Sequence, residues 1–288
     1  MNKFFAFLVL FIAGCGGSSD NPSNTTPVIE VAVSQTNYQA ANRQLTLTAT
    51  ANSATAYCFK TGSQAPLASD SCFQASNEKV IELTGSLSAY HLWVKNASGT
   101  VSATSQTGPC SAQGFAASDK SQLPTVCIST NLGEMVLELE ANKAPVTVTN
   151  FLKYVNAGFY SGIVFHRLGT NFIQGGGNRV VNGQLKQKDP LYDLIVLEKP
   201  SSTSVYNTIY SISMARTSVE NSATSGFFIN LDNNTGWNSD ANPYAAFGRL
   251  ISGFSVALAI SKLTGTTGSD GTVTPDQPAV VLWAVQLK

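Results

Sequence analysis

Apolar residues in the first half of the chain follow the two-residue period of β-strands. Polar and apolar side chains alternate over residues 44–50, and shorter apolar runs follow until a last clear one at residues 89–95. Turn-forming residues separate these runs, and none of them repeats with the 3.6-residue period of an amphipathic helix. The pattern predicts an all-β module over residues 28–112.

From residue 124 onward, predicted strands alternate with predicted helices. The apolar face of one helix repeats at positions i, i+3, i+4 and i+7 and comprises Val148, Phe151, Leu152 and Val155. Pro145 near the start and Gly158 just past the end mark the two ends of this helix. A second helix is predicted over residues 254–263. The stretch at 113–123, which is poor in apolar residues, predicts a linker between two modules.

The charge content of the chain argues against a nucleic-acid partner. Lys and Arg number 17, Asp and Glu also number 17, and charged residues make up 12% of the sequence. Soluble domains usually contain about 25%. Because binding to phosphates requires a basic surface, no nucleic acid is expected among the partners.

The first 27 residues are predicted to direct export and to anchor the chain. An apolar run at residues 4–13 is about half the length of a transmembrane helix, and it predicts a signal peptide over residues 1–14. Residues 12–15, with the sequence Ile-Ala-Gly-Cys, resemble the lipobox of bacterial lipoproteins, which implies lipidation of Cys15. Residues 15–27 then form a lipidated flexible tether. The alternative is an ordinary signal peptide with an incidental cysteine.

The resemblance to lipoproteins also implies a location. Residue 16 is glycine and not aspartate, which favours the outer over the inner membrane in many Gram-negative lipoproteins. Each buried methylene of an acyl chain contributes about 0.8 kcal/mol, so several chains make a durable anchor. We expect a protein of the bacterial cell envelope that contacts the membrane through its lipid and faces the periplasm.

Four further cysteines, Cys58, Cys72, Cys110 and Cys127, are candidates for disulfide bonds. An even number of cysteines outside the cytoplasm favours disulfides, and three pairings are open. We favour Cys58 with Cys72 and Cys110 with Cys127, because each pair closes a short loop. His91 and His166 are the only histidines and neither has a neighbour at metal-ligand spacing, so no metal site is expected.

The end of the all-β module resembles a known fold. The strand at residues 89–95 is followed by an Asn-Ala-Ser-Gly turn and a short strand at 100–102, which resembles the closing hairpin of bacterial immunoglobulin-like sandwiches. The resemblance implies an N-terminal immunoglobulin-like β-sandwich. Such a module serves as a spacer or in adhesion, and the fold does not decide between them.

Four sequence blocks of the second module resemble the cyclophilin family of peptidyl-prolyl cis/trans isomerases. In order they are TNLGEMVLELEANKAPVTVTNFLKYVNAGFYSGIVFHRL, NFIQGGG, MARTSVENSATSGFFINL and AAFGRLISGF. The resemblance covers residues 124–288 and implies an eight-stranded antiparallel β-barrel capped by two helices. It further implies isomerase activity without a cofactor, proline-containing polypeptides as partners, and binding of a cyclosporin-type inhibitor.

Proline isomerisation explains why an arginine is expected at the centre of such a site. Resonance gives the X-Pro amide a rotational barrier of about 18–20 kcal/mol, and rotation takes tens to hundreds of seconds. In the twisted amide the prolyl nitrogen regains a lone pair, so a fixed cationic donor beside it stabilises the transition state more than the ground state. The resemblance places Arg167 in this role. The reaction needs no general base, so His166 is interpreted as a structural neighbour of Arg167.

The resemblance also implies a set of substrate-binding residues, namely Phe172, Gln174, Ala215, Arg216, Phe228, Trp237 and Tyr244. Gln174 is expected to bond Arg167 and the substrate backbone, and the Arg216 backbone is expected to pair with the residue before proline. The hydroxyl of Tyr244 is expected to reach a peptide carbonyl. Phe228 has a core position as its alternative, because it and the preceding phenylalanine point to opposite faces of a strand.

Three positions depart from the family pattern. The segment between Arg167 and Gln174 is one residue short, and Gly226 replaces a glutamine that normally precedes the phenylalanine pair. Gly236 stands where the pocket wall is expected, and Trp237 restores that wall only if the loop is offset by one residue.

Two functions therefore remain open. The first is an active isomerase that assists folding of exported proteins at the envelope. The second is a catalytically weak or inactive module on a lipoprotein scaffold that binds proline peptides or serves in adhesion.

Overall fold

The computed structural model describes residues 31–39 and 41–288 of the chain. The predicted signal peptide, the lipidation site Cys15 and the tether at residues 15–27 lie outside the described residues. Within the described ranges, no helix has both the length and the apolar character needed to cross a membrane.

The N-terminal part consists of antiparallel strands. These are β1 (Val31–Gln39), β2 (Gln44–Ala51), β3 (Ala54–Thr61), β4 (Glu78–Glu82), β5 (Tyr90–Asn96) and β6 (Val101–Thr107). They form two three-stranded sheets in the orders β1-β2-β4 and β3-β5-β6. Buried Ala49 of β2 packs in one cluster with Leu92 and Val94 of β5, so the two sheets share a small core.

A short helix, α1 (Ala112–Asp119), occupies most of the segment expected to be a linker. The hydroxyl of Ser111 accepts a hydrogen bond from the backbone N–H of Gly114 and caps the helix. Phe115 is buried, which fixes the helix against the rest of the protein. The segment predicted as a linker therefore contains a packed helix of eight residues.

Both preferred disulfides are formed. Cys58 is bonded to Cys72 within the N-terminal part, and Cys110 is bonded to Cys127 across α1. Glu134 lies close to the second pair. Because both sulfurs of that pair are used in the disulfide, they offer no thiolate to a metal ion.

Most strands of the C-terminal part join one large antiparallel sheet. The strands are β7 (Thr125–Thr130), β8 (Gly133–Leu139), β9 (Arg167–Leu168), β10 (Phe172–Gly175), β11 (Asn178–Val181), β12 (Gln184–Gln187), β13 (Ser211–Met214), β14 (Phe227–Asn230), β15 (Ala246–Ser252), β16 (Gly265–Thr267), β17 (Val273–Pro275) and β18 (Val281–Gln286). The sheet has the order β16-β17-β9-β10-β14-β13-β15-β8-β7-β18, while β11 and β12 form a separate hairpin.

The strands of this sheet do not form the predicted eight-stranded barrel. Ten strands belong to the sheet, and its end strands β16 and β18 do not pair with each other in the described part of the chain. A bridge between Val164 and Val280 instead links the segment before β9 to the segment before β18. The hairpin β16–β17 extends the sheet beyond β9, and its turn approaches the candidate site.

Both predicted amphipathic helices are present, as α2 (Pro145–Asn156) and α4 (Phe254–Ser261). A four-residue helix, α3 (Pro200–Thr203), and a 3₁₀ turn at Thr235–Asn238 were not predicted. Phe151 of α2 is fully buried, and its ring lies 5.2–5.7 Å from the rings of Tyr160, Phe227 and Phe247. The aromatic face of α2 thus holds the large sheet in place.

A second apolar core joins the N-terminal part to the large sheet. Its buried members are Leu45, Leu47, Ile81, Leu83, Cys110, Phe115, Cys127, Val136, Trp283 and Val285. Polar contacts cross the same boundary. The Tyr38 hydroxyl lies 2.7 Å from the Ser161 hydroxyl, and the guanidinium of Arg43 donates to the backbone carbonyl of Asn156 at the end of α2. The two parts therefore share buried surface and a disulfide.

Candidate active site

Neighbouring strands place three predicted site residues in one row. Arg167 of β9 lies opposite Gln174 of β10, and Gln174 lies opposite Phe228 of β14. Residues directly opposite one another on adjacent strands project from the same face of a sheet. The Nη1 atom of Arg167 donates a 3.0 Å hydrogen bond to Oε1 of Gln174.

This row forms part of a cavity of about 160 Å³, which we call the aromatic cavity. It is lined by Arg167, Phe172, Gln174, Ala215, Arg216, Phe228, Trp237 and Tyr244. The structure brings together all the residues to which the sequence assigned a catalytic or substrate-binding role. They come from five separate segments, so only the fold makes them neighbours.

Four rings form the walls of the aromatic cavity. The centroid of Phe228 lies 6.0 Å from that of Phe172, 5.1 Å from that of Trp237 and 5.5 Å from that of Tyr244. The three pairs meet edge to face, the geometry that aromatic quadrupoles favour. The cavity is therefore apolar on these sides and cationic at the Arg167 edge.

The one-residue shortening before Gln174 is accommodated by glycine. The backbone N–H of Gly169 bonds the carbonyl of Phe172 at 2.9 Å in a tight turn, and a Cβ at Gly169 would overlap the Phe172 ring. The ring consequently still reaches the cavity. On the opposite wall Trp237 lines the cavity and Gly236 does not, which is the one-residue offset that the sequence left open.

Alternation along β14 separates its two phenylalanines as expected. Phe227 packs in the main core against Phe151 and Tyr160, whereas Phe228 faces the aromatic cavity. Phe228 is buried too, but it lies outside the main core cluster and lines the aromatic cavity.

Arg216 closes one side of the site through contacts with the loop that carries Tyr244. Its Nε donates to the carbonyl of Pro243 at 3.0 Å and its Nη2 donates to Oδ1 of Asn242 at 2.9 Å. Its guanidinium carbon lies 4.6 Å from the centroid of the Tyr244 ring. The Arg216 side chain is thus occupied in holding this loop.

Asp270 is a site residue that sequence reasoning missed. It lies in the turn of the β16–β17 hairpin, and its Oδ2 is 2.9 Å from Nη2 of Arg167. Hydrogen bonds from Thr272, together with the bond from Arg167, hold the pKa of this carboxyl well below its usual range. Asp270 therefore stays charged, and Arg167 is held on one side by an anion and on the other by Gln174.

A buried amide network supports the wall of the aromatic cavity, and it too escaped prediction. Asn207 is fully buried, and its Nδ2 donates to the carbonyl of Tyr244 at 3.0 Å and to that of Trp237 at 3.3 Å. Its Oδ1 accepts a 2.7 Å hydrogen bond from the hydroxyl of Ser213. One amide thus fixes the backbone at both ends of the loop between Trp237 and Tyr244.

The sequence of the C-terminal part decides the family. The family model described as "Cyclophilin type peptidyl-prolyl cis-trans isomerase/CLD" matches residues 125–284, more than half of the chain. The chain belongs to this family. The part that matches contains every residue of the aromatic cavity and also Asp270, so the site described above lies within the cyclophilin domain.

Bacterial relatives support the assignment of the cyclophilin domain. A peptidyl-prolyl cis-trans isomerase of Acinetobacter baylyi is 39% identical over 165 residues, which cover 56% of this chain and 84% of that protein. One of Streptomyces antibioticus is 38% identical over 166 residues, covering 55% of this chain and 96% of that protein. The cyclophilin domain is thus of the type found in known isomerases, and these matches leave the N-terminal part unassigned.

Among solved structures, a Cryptosporidium parvum cyclophilin type isomerase resembles the cyclophilin domain. It was crystallised in the presence of the dipeptide Ala-Pro, is 26% identical, and superposes with a TM-score of 0.47 over 56% of this chain and 97% of that one.

Proposed function

We propose that the protein accelerates cis/trans isomerisation of X-Pro bonds in exported polypeptides at the cell envelope, with Arg167 as the catalytic residue. The observation that carries the proposal is the position of the Arg167 guanidinium. It lies at the edge of an aromatic-walled cavity, with its two amino groups bonded to Gln174 and Asp270. A proline ring fits such an apolar cavity, and the cation then lies beside the amide.

The proposed mechanism is differential binding without a covalent intermediate. A planar X-Pro nitrogen shares its lone pair with the carbonyl, whereas the twisted amide has a localised lone pair that accepts a hydrogen bond. Because Arg167 is already fixed by its two partners, little reorganisation is needed when it donates to that nitrogen. The barrier falls because the twisted state gains a bond that neither planar isomer makes.

The substrate backbone is proposed to lie along Ala215 and Arg216. Since the Arg216 side chain is bonded to Pro243 and Asn242, its backbone is held in place and available to the residue before proline. Tyr244 is stacked under Arg216 at the same end of the aromatic cavity, within reach of a substrate carbonyl.

Arg167→Ala and Arg167→Lys test this assignment in a protease-coupled assay on X-Pro peptides. The full chain in detergent micelles is expected to accelerate isomerisation and to be blocked by a cyclosporin-type inhibitor. In both variants kcat/KM is expected to fall about 100-fold or more. Alanine removes the donor, and lysine lacks the planar guanidinium that can donate on two sides. Arg249→Ala is the matched control, because Arg249 is exposed and paired with Glu138 outside the site. Full activity of folded Arg167→Ala contradicts the mechanism.

The envelope location is proposed from the lipobox-like residues at 12–15 and from the two disulfides, which are typical of oxidising compartments. The N-terminal strands are proposed to be an immunoglobulin-like sandwich, with two facing sheets as support. In cells fed labelled palmitate, Cys15→Ser is expected to remove the label and to release the protein from outer-membrane fractions. Unchanged labelling contradicts the lipoprotein assignment.

The alternative is a module that binds proline peptides, or serves in adhesion, without turnover. Gly226 favours it, because the site lacks the glutamine side chain that other members present there. Peptide binding by a folded protein that accelerates no X-Pro bond would establish this alternative.

A further inference from the structure

Two further cavities continue from the aromatic cavity along the surface. A cavity of about 340 Å³, the middle cavity, shares Gln174, Ala215 and Arg216 with the aromatic cavity. A cavity of about 630 Å³, the apolar cavity, lies between the start of α2 and residues 191–195. Leu194 lines both the middle and the apolar cavity, so the three cavities adjoin one another in a row.

The lining of the apolar cavity exposes large hydrophobic side chains. Leu191 is 53% exposed, Leu194 is 61% exposed and Val146 is 44% exposed. Isolated exposed hydrophobic residues are common in proteins, but several that line one cavity indicate a surface that binds something. Lys153 and Asp193 contribute one charge of each sign, so the cavity has no charge preference of its own.

Hydrogen bonds hold this apolar lining in position. The Glu198 carboxylate accepts from the backbone N–H of Val146 at 3.1 Å and from that of Thr147 at 2.8 Å, which caps the start of α2. The backbone N–H of Ile195 bonds the carbonyl of Ala223 at 3.1 Å. On the other side of Leu194, the backbone N–H of Tyr192 donates to the Tyr154 hydroxyl at 3.3 Å. The loop is therefore held before and after Leu194, and a ligand need not order it first.

The path between the cavities is open at Gly226. This residue lines the middle cavity, and it has no side chain to narrow the path between Gln174 and Leu194. If the residue before proline pairs with the Arg216 backbone, the substrate residues further toward the amino terminus enter the middle cavity. Leu194 lines the same middle cavity as Arg216, and an extended chain advances about 3.3 Å per residue, so a longer substrate continues toward Leu194.

We propose that the apolar cavity is a remote subsite for a hydrophobic side chain of the same polypeptide, located amino-terminal to the proline being isomerised. This inference rests on the proposed function, because it names the substrate class of that site as long, unfolded, apolar segments. A short peptide fills only the aromatic cavity and leaves the remote subsite empty.

Paired peptides test the remote subsite with the full chain in detergent micelles. One is a short X-Pro tetrapeptide, and the others extend it at the amino end by ten residues, with a single leucine moved through positions three to eight before proline. An otherwise identical peptide carries serine in place of the leucine. At the best position, kcat/KM is expected to exceed that of the serine peptide about tenfold, as partial burial of one leucine allows.

Leu191→Ser and Leu194→Ser are each expected to remove most of the preference for the leucine peptide. Leu67→Ser is the matched control, since Leu67 is a 72% exposed leucine of the N-terminal part, and it is expected to retain the preference. Equal kcat/KM for leucine and serine peptides at every position would overturn the remote subsite while leaving isomerase activity intact. Absence of turnover with the short tetrapeptide would instead overturn the proposed function.

Discussion

The Nη2 atom of Arg167 lies 2.9 Å from Oδ2 of Asp270, a residue 103 positions further along the chain. Both side chains are partly exposed, so water weakens their attraction. The main effect of the pair is to orient the guanidinium of Arg167. Asp270 holds one amino group and Gln174 holds the other, and the plane of the guanidinium is fixed between them.

Asp270→Ala is expected to lower kcat/KM roughly two- to fivefold, the scale of an exposed charge pair, because Arg167 then keeps one partner. Asp270→Asn retains an oxygen that can accept the bond and is expected to recover most of the activity. The measurement is kcat/KM on a short X-Pro peptide for both variants. Equal losses in the two would show that the charge, and not the hydrogen bond, is what matters.

His166, next to Arg167, is expected to make stability depend on pH. Burial lowers the pKa of its imidazole from the usual value, and the adjacent Arg167 charge lowers it further. Below about pH 6.5 the unfolded chain binds a proton at this histidine more readily than the folded protein does. The free energy of unfolding therefore decreases as the pH is lowered through this range. His166→Gln removes this contribution. The free energy of unfolding, measured with urea, is expected to decrease less between pH 7.5 and pH 5 in the variant than in the unaltered protein. Equal decreases in the two proteins would disprove the assignment.

Gly226→Gln is expected to have opposite effects on short and long substrates. A Cβ at this position would lie 3.3 Å from the Cβ of Ala215, so a side chain enters with a small adjustment. The new amide adds a hydrogen-bond donor beside the aromatic cavity, which is expected to raise kcat/KM on short peptides about two- to tenfold. The same side chain narrows the path to Leu194. The ratio of kcat/KM for the long leucine peptide to that for the serine peptide is therefore expected to decrease. Gly226→Ala is the control for bulk without the donor.

Asn207→Ala is expected to destabilise the protein by about 3 kcal/mol and to weaken substrate binding. The change leaves the carbonyls of Trp237 and Tyr244 and the hydroxyl of Ser213 without their buried partner. Loss of order in the loop is expected to raise KM more than it lowers kcat. Asn233→Ala is the comparison, because Asn233 is exposed and its Oδ1 accepts a single bond, from the N–H of Ile209. Similar unfolding free energies for the two variants would contradict the role of the network.

The residues that line the aromatic cavity could be predicted from the sequence, whereas the residues that hold them in position could not. α2 was predicted because Pro145 and Gly158 mark its ends, and the cavity residues were found because each lies in a recognisable block. Asp270 and Asn207 were not found. Asp270 reaches Arg167 only after a hairpin folds onto β9, and Asn207 acts through backbone carbonyls 30 and 37 residues away. Such contacts depend on tertiary geometry, and no local pattern of residues encodes them.

The family resemblance implied eight strands, and the large sheet has ten. β16 and β17 are three residues long, and too few positions alternate in them to distinguish a strand from a loop. α1 was missed because its apolar content is low, although a capping serine at position 111 precedes it. That serine was a local signal for the start of the helix.

The core shared by the N-terminal part and the large sheet implies that the two form one thermodynamic unit. Trp283 of β18 donates a 2.8 Å hydrogen bond to the carbonyl of Pro109, and the Cys110–Cys127 disulfide lies beside it in the same core. A cut at the start of the matched family region would leave Trp283 and Val285 facing water, and an isolated C-terminal fragment would be prone to aggregate. Calorimetry of the intact chain should show a single cooperative transition, so the stability and solubility of the cyclophilin domain would depend on N-terminal strands that contribute no residue to the aromatic cavity.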